Sequence, residues 1–280
     1  MSFAELLSRV KIRNHGTSGP QVIVLHGGPG APGSAAPLAR GLADRFRVLE
    51  PWQRGSGGVP LTVERHVEDL RVLIGDLEAA APPALVGWSW GAMLALAYAA
   101  AHPTQTGPIA LVGCGTFDRT ARGRLHERLE ERMDDELRRR LAHLAEEEVD
   151  PERLLMRRFE LTRPLYAFDP IDTDEDAGDV ERWDARSFEE TWNDMVRLQD
   201  QGVYPAAFRA IHSPLLMLHG AYDPHPGALI RRSLAPHLPQ LEYKEWERCG
   251  HCPWAERAVQ VDFFAVLSAW LAQQIRGQVT

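Results

Sequence analysis

The sequence predicts an α/β protein: a mostly parallel sheet flanked by helices, with a helical insertion between two core strands. Three observations carry that prediction. Short apolar runs recur and stop at glycine and proline clusters, the mark of buried strands. The segments between them repeat apolar residues at helical spacing. A charged stretch of about 100 residues, helical in its spacing, separates the earlier runs from the later ones.

Gln21–Leu25 reads as a buried strand entering a glycine and proline loop, and residues 46–49 repeat the pattern. Between them, residues 35–42 suit a short helix with Ser34 as its N-cap. From Thr62, the positions Val63, Val67, Leu70, Ile74 and Leu77 make one apolar helical stripe. Residues 84–86 form a brief strand, followed by a tight glycine turn and an alanine-rich helix over 92–101 that ends at His102-Pro103. Ile109–Val112 is another strand. Strands alternating with helices in this way imply βαβ units and a parallel sheet. Residues 118–160 then place Leu125, Leu129, Met133, Leu137, Leu141 and Leu144 at helical intervals. An acidic, loop-like stretch covers 169–184, and helical spacing returns through Phe188, Trp192, Met195 and Leu198. Strands resume at 214–218 and Leu241–Trp246, and a closing helix covers 259–275. The expected units are therefore a first core segment, 1–113, a helical cap, 114–213, and a second core segment, 214–280.

Composition narrows the function classes. With 280 residues, 44% of them hydrophobic, the chain can bury a full core. A formal net charge of −8 without a basic cluster offers nothing to nucleic acid or an anionic membrane surface. Residues 1–20 hold no signal-peptide apolar core, and no later run reaches the roughly 20 apolar residues of a membrane helix. Three cysteines, an odd number in a chain this long, suit a reducing compartment, so a cytoplasmic protein acting on a small molecule or short peptide is expected.

Gly87-Trp88-Ser89-Trp90-Gly91 has the Gly-x-Ser-x-Gly pattern between a strand and a helix. Alone the pattern also suits a structural turn, but in this setting the serine sits at the apex of a strained turn with its hydroxyl exposed. A serine hydroxyl needs a base, and the base needs an orienting carboxylate. Asp223 and His251 occupy the loops after the two late strands, in the chain order Ser, acid, His. His225, on the acid's own loop, and His219, at the end of its strand, are alternative candidates for the base, although neither has the independent loop a base would use. Acyl transfer also needs hydrogen-bond donors for an oxyanion. The backbone N–H of Trp90 and that of Gly28, in His26-Gly27-Gly28-Pro29-Gly30, are the candidates. That glycine loop lacks the Lys-Ser/Thr of a phosphate-binding loop and the spacing of a dinucleotide fingerprint. Cys249-Gly250-His251-Cys252 also admits a thiol-disulfide reading, although a redox domain of that kind would carry its own short βαβ unit. No second ligand pair for zinc appears, and no metal or cofactor is implied.

These motifs resemble those of the proline iminopeptidases and their relatives in the α/β-hydrolase superfamily. The similar pieces are His26 to Gly30, Gln53-Arg54-Gly55-Ser56-Gly57, His66-Val67-Glu68-Asp69-Leu70, the Ser89-Trp90-Gly91 turn, the helix from Leu94 to Pro103 and His219-Gly220-Ala221-Tyr222-Asp223. Trp52 stands where that family usually has an aspartate, and Trp88 where it has a small residue. The resemblance implies an α/β-hydrolase sheet and a serine hydrolase with Ser89, Asp223 and His251 as triad and Gly28 and Trp90 as oxyanion donors. It further implies cleavage of an amide or ester through an acyl-enzyme, as an aminopeptidase or, alternatively, a carboxylesterase on small neutral acyl esters. A non-catalytic member of the fold that binds a ligand under its cap is a third reading. That family's cap holds the substrate ammonium with acidic residues, and Glu189, Glu190 and Asp194 near Trp192 are the candidates, against the plainer account of a solvated helix face.

Overall fold

The computed structural model describes residues 5–6, 10–77, 81–171 and 183–277. Seven strands form one sheet: β1 (Ile12–His15), β2 (Gln21–Leu25), β3 (Arg47–Pro51), β4 (Ala84–Trp88), β5 (Ile109–Val112), β6 (Leu215–Gly220) and β7 (Leu241–Trp246). Their order is β1-β3-β2-β4-β5-β6-β7, with β1 antiparallel to β3 and every other pair parallel. The central strands read as continuous apolar runs because both of their faces are covered. Alternate residues go to opposite sides: Ile23, Leu25, Leu85, Ile109, Leu111, Leu215 and Met217 belong to one core, and Val22, Val24, Val86, Ala110, Val112, Leu216 and Leu218 to the other.

Helices α2 (Val63–Asp76) and α3 (Trp90–Ala101) cover the first face, and α1 (Ala36–Leu42) with the C-terminal α9 (Gln260–Gly277) the second. Thr62 starts α2 as expected, its hydroxyl accepting from Arg65 N. Ser34 does not cap α1. Its Oγ instead donates to Ala31 O, and Ala35 takes the cap position without a side-chain bond. Helix α3 is buried on all sides from Trp90 to Ala99, which explains its alanine-rich sequence.

Between β5 and β6 come α4 (Arg119–Arg132), α5 (Asp135–Glu147), α6 (Pro151–Thr162) and α7 (Ala185–Asp200). Aspartates begin all four, with Asp118, Asp134, Asp150 and Asp184 accepting from backbone N–H groups of the first turn. Most of the acidic stretch expected as a loop, residues 172–182, lies outside the described residues. Among the described strands and α-helices, two were absent from the sequence expectation. One is β1, and the other is α8 (Gly227–Leu234), between β6 and β7. Strand β1 is an edge strand held through its charged side chains: Arg13 and His15 both donate to the fully buried Glu50 on β3.

Candidate functional site

The carboxyl ends of β2, β4, β6 and β7 lie along one edge of the sheet, and each runs into a loop carrying a site candidate, the usual place for ligands in an open parallel sheet. Ser89 sits between β4 and α3 with φ 54° and ψ −116°, the one non-glycine residue among those described with positive φ. The flanking glycines have a steric reason. A Cβ on Gly87 would lie 2.3 Å from Gly91 O, and one on Gly91 2.2 Å from Leu25 O, so only glycine lets the turn close against β2. Ser89 N donates to Val112 O (2.9 Å), which fixes the turn to β5. Ser89 makes no capping bond to α3, so its hydroxyl is not spent on the helix.

His251 Nδ1 donates to Asp223 Oδ2 at 2.7 Å. A carboxylate only accepts, so in the neutral ring the proton is on Nδ1 and Nε2 keeps its lone pair. The loops bearing the pair are themselves joined: Ala221 N donates to Trp246 O and Tyr222 N to Cys249 O. His251 lies beside the end of β5, where a Cβ on Gly113 would meet its Nδ1 at 3.0 Å, and Trp88 Nε1 donates to its carbonyl.

The structure gathers two further histidines around the same carboxylate. His225 donates to Asp223 Oδ1 through both its main-chain N (2.9 Å) and Nδ1 (3.0 Å). His219 Nε2 donates to His225 O (2.9 Å) and lies 3.3 Å from Asp223 Oδ2. Burial alone would push the Asp223 carboxyl up, yet the three histidines hold it well below the usual carboxylate range. Burial pushes His219 and His225 down, favouring their neutral forms. Asp223, His225 and His251 also bring potential metal-ligating atoms within 4.8 Å of one another. A dication there would have to replace the protons that now join both rings to the carboxylate.

On the opposite side, a Cβ on Gly27 would come 3.3 Å from Ser89 Cβ, so the glycine loop after β2 lies against the serine. Gly28 adopts φ 111°, a conformation open to glycine, and its N–H has no acceptor among the described residues. Trp90 is the first residue of α3, where an N–H has no partner within the helix.

The helices between β5 and β6 bond to three of the loops that carry these residues. Arg128 Nη1 and Arg132 Nη2 donate to the carbonyls of Asp223 (2.8 Å) and Tyr222 (2.7 Å). His251 N donates to Tyr166 O, and Asp184 N to Gly30 O. The buried Glu256 accepts from Gly250 N, Phe168 N and Asp169 N, tying the histidine loop to the same insertion.

The α7 carboxylates are engaged elsewhere. Glu190 accepts from Leu61 N and Arg186, and Asp194 from Val63 N and Arg197, so both hold α7 to the start of α2. Glu189 is exposed on the helix surface. Cys114, Cys249 and Cys252 are free thiols, and burial raises the pKa of each. Among the described residues, no helix is long and apolar enough to cross a membrane.

Sheet order and the strand–serine–helix turn define the α/β-hydrolase fold. The family model described as "Alpha/beta hydrolase family" matches residues 22–262, and the chain belongs to that family. It is 33% identical to a proline iminopeptidase of Xylella fastidiosa over 105 residues, 34% of this chain and 32% of the relative. Over 99 residues it is 36% identical to a pimeloyl-[acyl-carrier protein] methyl ester esterase of Methylococcus capsulatus, covering 35% of this chain and 38% of the relative. These alignments thus span about a third of the curated relatives' length. Among solved structures, a thermophilic esterase from Thermogutta terrifontis superposes with a TM-score of 0.62 at 20% identity, covering 94% of this chain and 93% of that one. The crystal structure of VinJ gives a TM-score of 0.69 at 22% identity, with 95% of each chain covered.

Proposed function

We propose that this protein is a serine hydrolase that cleaves small neutral acyl esters through an acyl-enzyme. The observation that carries the proposal is the His251–Asp223 hydrogen bond, together with a serine held at positive φ after β4. With its proton on Nδ1, His251 has Nε2 free to take the hydroxyl proton of Ser89 as Oγ bonds to the substrate carbonyl carbon. The carbonyl oxygen becomes an oxyanion facing the N–H groups of Gly28 and Trp90, each donor worth roughly 3 kcal/mol in such sites. His251 then returns the proton to the leaving alcohol as the C–O bond breaks, and water repeats the sequence to release the acid. Asp223 stabilises the transient imidazolium throughout. The helices between β5 and β6, about residues 114–213, serve as a cap that shapes the acyl pocket, a role suggested by their bonds to the Gly30, Asp223 and His251 loops.

The likeness to proline iminopeptidases favours an aminopeptidase instead. Against it stand Glu190 and Asp194, whose carboxylates already serve main-chain N–H groups and arginines. A panel pairing short-chain aryl esters with aminoacyl arylamides, the proline derivative included, tests this: turnover of the esters with little of the arylamides is expected. Preferential turnover of prolyl arylamide would replace the ester reading with the aminopeptidase.

A further inference from the structure

The two backbone donors assigned to the oxyanion sit on different elements, Gly28 after β2 and Trp90 at the start of α3. Their relative position must hold to a fraction of an ångström for both to reach one oxygen. Gln53, just after β3, touches both elements. Its Oε1 accepts from the Trp90 indole Nε1 at 2.6 Å, and its Nε2 donates to His26 O at 3.1 Å. Its main-chain N donates to His26 Nε2 at 3.0 Å.

That last bond sets the state of His26. Accepting at Nε2, a neutral ring must carry its proton on Nδ1, and burial lowers the pKa of His26 to about 4, so the ring is neutral near pH 7. Nδ1 then donates to Gly27 O at 2.8 Å. Gly27 O and the N–H of Gly28 belong to one planar peptide unit and point in opposite directions. Fixing the carbonyl on the buried ring aims the Gly28 N–H away from that ring.

We propose that Gln53 is a positioning residue that holds the two oxyanion donors in register, through the Trp90 indole on one side and His26 on the other. This rests on the serine-hydrolase reading. Neither His26 nor Gln53 contacts the reacting atoms in this role; they act through the peptide planes of Gly28 and Trp90. The effect therefore belongs to the transition state, and ground-state binding is left alone.

The test uses Gln53→Leu, Trp90→Phe and the double variant, each checked by thermal melting and assayed on one aryl ester. The kcat of Gln53→Leu is expected to fall roughly 10- to 100-fold with KM within about twofold, and arylboronic acid affinity to fall by the same factor as kcat/KM. Trp90→Phe breaks the same bond from the other end, so it should reproduce the loss, and the double variant should lose little more than either single one. If Gln53→Leu does not fold, Trp90→Phe decides alone by the same kcat and boronate readings. Unchanged kcat and boronate affinity, a loss confined to KM, or fully additive losses would overturn the proposal. A fluorophosphonate that fails to label Ser89 in the wild type would instead overturn the serine-hydrolase reading, which separates the two failures.

Discussion

His225 lies face to face with His251, their ring centroids 4.6 Å apart and their planes 18° from parallel, and both rings donate to opposite oxygens of the Asp223 carboxylate. The carboxylate that is to stabilise the His251 imidazolium is thus shared. Each donor on Oδ1 disperses charge that would otherwise act on His251.

Replacing His225 by phenylalanine keeps a stacked ring and removes the side-chain donor. Asp223 then loses one of the groups that hold its carboxyl below the usual carboxylate range, so its pKa rises. The acid limb of kcat/KM is expected to move up. The other groups facing this cluster, His219, Tyr166, Arg128 and Arg132, are unchanged in the variant. A pH–rate profile decides, and an unmoved or lowered limb would show that Asp223 does not couple the two rings.

Glu190 and Asp194 accept main-chain N–H bonds from Leu61 and Val63, both at 2.8 Å. Glu190→Gln and Asp194→Asn are therefore expected to lower the melting temperature, each by about 1 kcal/mol of stability, with ester and arylamide rates affected alike. A selective loss on aminoacyl substrates would instead support the candidate ammonium-binding role.

Two buried histidines set a pH dependence of stability. Burial lowers His26 to about 4 and His66 to about 3, so between those values and their ordinary 6.5 the unfolded chain binds protons that the folded chain does not. Their contribution is fully present above about pH 6.5 and is lost as pH falls toward 4 and then 3. Each such proton makes stability fall by about 1.4 kcal/mol per pH unit in that window. Denaturant melts from pH 7 to 4 should show this slope, reduced in a folded His66→Asn variant. A flat profile would mean that these rings are not held neutral.

How much of this was legible in the sequence depended on whether the cause was local. Strands β2, β4, β5 and β6 were readable because burial of both faces leaves nothing but apolar side chains, and the serine turn because Gly87 and Gly91 are required by contacts at the turn and at the neighbouring β2. Strand β1 escaped because Ile12–His15 has no apolar run and depends on Glu50, 37 residues from Arg13. The main-chain bonds of Glu190 and Asp194 span 129 and 131 residues, beyond anything a helical repeat reports. His225 reads from the sequence as an alternative base on the loop of Asp223. Its role appears once the turn folds its ring onto His251.

Cys249 and Cys252 flank the histidine loop without a thiolate to offer, since burial raises the pKa of both. The double replacement by serine is expected to keep most ester hydrolysis, and the wild type should not reduce an insulin disulfide. Catalytic disulfide reduction, or loss of hydrolysis in a variant with an unchanged melting curve, would make the thiols part of the chemistry.

The assignment of Ser89 as nucleophile is tested most directly by reaction with a fluorophosphonate, followed by mass-spectrometric mapping of the adduct. An activated serine beside oxyanion donors attacks phosphorus, so the account predicts one adduct per chain, on Ser89, and none in a folded Ser89→Ala variant. Undiminished labelling of Ser89→Ala, or an adduct on another residue of the wild type, would contradict it.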